Sequence, residues 1–114
     1  MNWPHRKLDP MPELRKRFIN GIRGQIKRLD KLSTKPSSRD WFEILEEKNG
    51  SGLKKCVAWL RNGSKFMPLA EGATYMKFDS TYAVTDFYRA AMHACERGEL
   101  DEFLVASSAK ARRE

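Results

Sequence analysis

Residues 14–32 spell a two-faced helix, with Leu14, Phe18, Ile19, Ile22, Ile26, Leu29 and Leu32 on one side and Lys16, Arg17, Arg23, Lys27, Arg28 and Lys31 on the other. At about 100° per residue the apolar set fills an arc of roughly 140°, and the cations fill the complementary arc. Arg15 alone falls on the wrong side. A stripe of this kind is stable only when a core covers it, so the segment commits the chain to a globule that leaves a row of positive charge in water.

The overall charge follows that row. The chain of 114 residues carries a formal net charge of +7. Residues 1–39 hold 11 lysines and arginines against Asp9, Glu13 and Asp30, or +8; residues 40–114 hold 11 against 12, or −1. Charge needed only for solubility can be spread anywhere on the exterior, whereas an excess confined to one third of the chain predicts a localised surface for a polyanion.

With 40% hydrophobic and 32% charged residues the chain is suited to one soluble domain rather than to a membrane or a disordered polymer. Residues 1–10 read as an arm, 11–109 as a single domain and 110–114 as a charged tail. Cys56 and Cys95 are far apart and form no Cys-x-x-Cys pair, so neither a disulfide framework nor a zinc site is expected. The first ten residues lack the apolar stretch of a secretory signal, and the longest apolar run, residues 56–60, is far short of the ~20 that span a bilayer. A cytoplasmic protein with no membrane partner is the expectation.

Pro12 suits the first turn of the leading helix, while Gly21 and Gly24 each cost its interior about 1 kcal/mol relative to alanine. Their position on or beside the cationic face would let phosphates approach the helix backbone. Residues 33–38 break the helix, and Ser37 with Asp40 resembles a capping box opening a second helix that carries Trp41, Phe42, Ile44 and Leu45 inward. Leu53, Cys56, Val57 and Leu60 recur at i, i+3, i+4 and i+7, which predicts a third helix over residues 53–61. The same residues alternate as a strand, and Asn62–Gly63 is also a hairpin turn that would pair 54–61 with 64–69. Pro68 tips the reading to the helix, because in a three-stranded meander it would sit in the middle strand without an N–H to donate. A hairpin of residues 66–69 and 73–78, a helix over 81–97 capped by Ser80 and stopped by Gly98, and a short last helix with Leu100, Phe103 and Leu104 inward complete the chain.

The expected fold is mainly α with a small β-hairpin, an α+β domain whose element order matches a winged helix-turn-helix. In that arrangement Lys54, Lys55 and Arg61 would project from the third helix, and Lys65 and Lys77 from the wing. Three shorter resemblances each cover under a fifth of the chain. Residues 19–26, with Gly21 and Gly24, resemble the Gly-x-x-Gly loop of KH domains, although the apolar residue after the loop comes one position early. Residues 22–26 with Leu29 resemble the first helix of copper- and formaldehyde-responsive helical repressors, but Trp41 and Phe42 stand where such sensors need cysteine and histidine. Residues 100–104 are similar to the end of the DNA-binding domain of bacterial nucleoid-structuring proteins, without their Gly-Arg hook.

Catalysis needs a base or nucleophile with an orienting partner, and His5 and His93 have no neighbour that suggests a triad or a metal site. Cys56 and Cys95 lie on apolar faces, where cysteine behaves as a small buried hydrophobe. No cofactor, no metal and no enzymatic activity are expected. Phe66, Tyr75 and Phe78 have two readings, stacking on splayed bases or packing in the core, of which packing is the commoner. The sequence thus predicts a DNA- or RNA-binding protein gripping phosphates through Lys16, Arg17, Arg23, Lys27, Arg28 and Lys31, joined by Lys54, Lys55 and Arg61. Six phosphate contacts on the first helix would give a salt slope near −5 for duplex DNA. The alternative is a small inhibitor or adaptor, or a helical subunit of a nucleoprotein complex, whose basic face docks on an acidic protein.

Overall fold

A computed structural model describes residues 10–31, 36–45, 55–69 and 72–112. The leading helix, α1 (Met11–Asp30), begins after Pro10, with Pro12 in the first turn where a missing N–H is harmless. Its inner stripe buries Phe18, Ile19, Ile22, Gln25 and Leu29, so the two-faced reading of the sequence holds; Leu32 lies outside the described residues.

The next two segments differ from expectation. Residues 42–44 form β1 (Phe42–Ile44) and residues 56–58 form β2 (Cys56–Ala58), where the sequence predicts a second and a third helix. The polar bonds expected of a capping box are partly present, but they close a turn: Ser37 N–H donates to Asp40 Oδ2 at 3.1 Å, Asp40 N–H to Ser37 O at 3.0 Å and Arg39 N–H to Ser37 Oγ at 3.1 Å. Short apolar runs such as Trp41–Leu45 satisfy either period, and pairing along the ladder decides for the strand.

β1, β2 and β5 (Met76–Phe78) form an antiparallel sheet in the order β1-β2-β5, with Phe42 opposite Ala58 and Cys56 opposite Phe78. Beyond β2 the chain makes a tight hairpin of β3 (Arg61–Asn62) and β4 (Lys65–Phe66), turning at Gly63 with φ +65°. Asn62–Gly63 is therefore the hairpin signal rather than a helix stop. Pro68 lies past the end of β4, where the last link is Met67 N–H to Leu60 O at 2.9 Å, so it removes no ladder bond. Among the described residues the expected hairpin of 66–69 with 73–78 is reduced to one bond, Leu69 N–H to Ala73 O at 2.7 Å, because β5 pairs with β2 instead. With no helix between residues 45 and 61 among the described residues, the winged helix-turn-helix order is not realised.

The last two elements follow the sequence. α2 (Thr81–Glu96) is capped by Ser80, whose Oγ accepts from Ala83 N–H at 3.2 Å, and the chain turns away at Gly98 with φ +82°. α3 (Asp101–Arg112) continues beyond Lys110, into the stretch read as a tail. α2 packs on α1 and on β2 and β5, and α3 packs on α1 and β3, which makes an α+β fold with the helices on one side of the sheet. Ile22, Cys56, Val84, Tyr88, Cys95 and Leu104 are fully buried at their meeting point. Tyr88 spans the layers, donating its hydroxyl to Trp41 O at 2.6 Å.

Candidate nucleic-acid interface

With the inner stripe of α1 buried, Lys16, Arg23 and Lys27 stand along its outer crest, all exposed, and Lys31 extends the row just beyond the last turn. Fifteen residues at 1.5 Å each make the row about 22 Å long. Lys16, Arg23 and Lys27 enter no ion pair among the described residues. Arg17 is also exposed and lies 3.7 Å from Glu13 one turn earlier, a loose contact between two solvated side chains worth only a few tenths of a kcal/mol. Two exposed acids border the row: Asp30 precedes Lys31 in the chain, and Glu96 lines a cleft with Lys16 and Arg23 without pairing with either.

Arg28 is turned off the crest. Its Nε donates to Asp40 Oδ1 at 2.5 Å and its Nη2 to Asp40 Oδ2 at 3.3 Å. Asp40 is only 7% exposed, and its hydrogen bonds raise the arginine above its usual pKa. A guanidinium held in this way pins the Ser37–Asp40 turn to α1. Arg15, the cation on the wrong side of the wheel, does the same at the other flank, pairing through Nε and Nη2 with both oxygens of Asp101 at 2.9 and 2.5 Å. The two flanking arginines fasten the helix, and the crest between them is left to water.

Gly21 and Gly24 also separate. A Cβ on Gly21 would lie 3.1 Å from the tip of the Trp41 ring, so this glycine admits an indole rather than a phosphate. Gly24 has nothing within 4 Å of that position and remains open beside the crest. Both sit in the middle of a continuous helix, so no Gly-x-x-Gly loop of the KH kind is formed.

Of the remaining cations expected at the interface, Lys54 lies outside the described residues. Lys55 is exposed just ahead of β2, and Arg61 sits half-buried on β3, so neither projects from a helix. Arg61 donates to Ser38 O at 3.3 Å and lies over the Phe66 ring at 6.0 Å. They belong to the sheet side of the molecule and not to the row on α1.

Gln25 is a structural residue that the helical period could have exposed, since it stands seven residues after Phe18 on the inner stripe. It is 8% exposed, accepts from Trp41 N–H at 2.7 Å and donates to Arg39 O at 3.1 Å. The aromatic residues need a correction too. Phe78 packs inward on Phe87 at 5.2 Å, but Phe66 is 44% and Tyr75 52% exposed, so neither is a core residue.

His93 is exposed, 3.5 Å from Glu96, and Cys56 and Cys95 are buried thiols whose burial pushes their pKa up, away from the nucleophilic thiolate. Among the described residues no three histidine, cysteine or acidic side chains gather as a metal site, and no helix is long and apolar enough to cross a membrane. No family model, curated protein or solved structure matches the chain.

Proposed function

We propose that this protein is a non-enzymatic nucleic-acid-binding domain that holds the phosphate backbone of DNA or RNA along the crest of α1. The observation behind this reading is the row Lys16, Arg23 and Lys27, exposed and without acidic partners among the described residues, while Arg15 and Arg28 are consumed by internal pairs. Lysines and arginines in line along one helix release counterions when they meet a polyanion, and this term supplies most of sequence-independent binding. Cys56 and Cys95 are in no disulfide among the described residues, which suits a reducing cytoplasm.

Three contacts, from Lys16, Arg23 and Lys27, set the slope of log K against log salt at about −2.7 on duplex DNA and about −2.1 on a single strand. In a gel shift at about 50 mM salt the wild type retards generic nucleic acid, and the combined Arg23→Glu, Lys27→Glu and Lys31→Glu variant does not. Failure of the wild type to retard any DNA or RNA, with retention of an acidic protein instead, would replace this reading with docking on a protein surface.

A further inference from the structure

The side of the sheet turned away from the helices is not an ordinary solvated face. Register places Glu43, Val57 and Lys77 in one cross-strand row on it. Trp59 follows β2 on the same side, beside Phe66 of the hairpin at 6.2 Å between ring centroids. Val57, Trp59, Phe66, Tyr75 and Lys77 line a groove of about 490 Å³ here, within the range of small-ligand sites. The indole N–H of Trp59 is buried and has no acceptor among the described residues, at a cost of about 1–3 kcal/mol.

Building on the reading of α1 as a phosphate-binding surface, we infer that this face is a stacking platform for the bases of a single-stranded nucleic acid. Two exposed rings, with Trp59 behind them, offer flat apolar surface that any unstacked base can cover, and a duplex has no unstacked base to offer. The charges agree with that occupant. Lys77 lines the platform and Arg61 lies over the Phe66 ring at 6.0 Å, both able to meet phosphates, and Glu43 in the same lining can accept from base amino groups.

The platform is also continuous with the row on α1. A second cleft of about 550 Å³ runs from Arg28 and Lys31 past Asp40 and Phe42 to Glu43 and Trp59, and these last two residues line both clefts. A strand whose phosphates lie on the crest therefore has a channel, bordered by Lys31, that leads its next nucleotides onto the rings. α1 supplies grip, and the sheet supplies preference for unpaired strands.

The test is fluorescence anisotropy with labelled oligouridylate, oligodeoxythymidylate and a duplex of the same length. Tyr75→Ala and Phe66→Ala should each weaken single-strand binding roughly 5- to 100-fold and leave duplex binding unchanged, with Tyr75→Phe retaining affinity. Should either alanine variant fail to fold by circular dichroism, Lys77→Glu tests the same face, and selective loss of single-strand affinity is again expected. Comparison of the two oligonucleotides decides between RNA and DNA as the strand. Equal effects on duplex and single strand, or none on the single strand, would overturn the platform; loss of all binding in the triple α1 variant would then leave the phosphate reading standing. A wild type that binds neither form would overturn both.

Discussion

α1 and the outer side of the sheet both face water with cations, yet they are built on opposite principles. The crest of α1 is one row of lysines and arginines written by contiguous sequence, with its neighbours Arg15 and Arg28 turned into clamps. The sheet face gathers Glu43, Val57, Trp59, Phe66, Tyr75 and Lys77 from separate strands and loops, mixing rings with charge. On the proposed reading the first arrangement would hold any polyanion and distinguish none. The second would add selectivity, because rings engage only bases that have left a stack.

The largest expected effect tests whether the crest is a surface independent of the stripe beneath it. Ile22 is fully buried, and Ile22→Ala should cost about 2–5 kcal/mol in denaturant unfolding. Lys27→Ala, one turn away on the crest, should stay within about 0.5 kcal/mol of the wild type while weakening nucleic-acid binding. A large stability loss in Lys27→Ala would show that the row is part of the scaffold.

A smaller loss is expected at the joint between the two regions. Gln25 satisfies Trp41 N–H and Arg39 C=O, which join α1 to the entry of β1. Gln25→Ala leaves both part-buried backbone groups without this partner and should destabilise by about 0.5–1.5 kcal/mol for each bond lost. If it unfolds no more easily than wild type, water replaces the amide and the joint is looser than the geometry suggests.

These two regions also differ in how far the chain announces them. α1, α2 and their caps follow from local rules, because a 3.6-residue period, Pro12, Ser80 and Gly98 are each sufficient within a few residues. The strands do not. Val57 and Trp59 face away from the core yet are apolar, so the period of two that would mark β2 is masked by a platform surface, and residues 53–60 satisfy a helical period equally well. Asn62–Gly63 carries the right signal, but choosing between helix stop and hairpin turn depends on a partner strand. The interface was legible as a row and not as a set of free charges: nothing local to Arg28 reveals that Asp40, twelve residues on, takes it out of solution. The aromatic platform required the pairing of β5 with β2, a contact that no short-range pattern specifies.

The glycines of α1 offer a finer measure. Gly24→Ala meets no atom and should gain about 0.5–1 kcal/mol from helix propensity. Gly21→Ala should forfeit that gain, since the Trp41 ring in its way is pressed on Phe18 at 5.8 Å and its backbone is held by Gln25, Trp59 and Tyr88. Thermal unfolding of the two variants side by side would break the distinction if both were stabilised alike.

The smallest effect belongs to the clamp between α1 and α3, whose side chains are 32% and 29% exposed and therefore partly screened by water. Hydrogen bonds from Arg15 hold the Asp101 carboxyl below the usual carboxylate range. A group whose folded pKa is lowered contributes stability above its unfolded value, near 3.9 for aspartate, and that contribution disappears as pH falls through the lowered folded value. Asp101→Asn should therefore be slightly less stable than wild type at neutral pH, and the gap should close below about pH 4. Because Arg15 lies on the flank, single-strand and duplex binding should keep the wild-type ratio at neutral pH. A gap that persisted in acid would mean that Asp101 acts through packing at the start of α3 rather than through its charge.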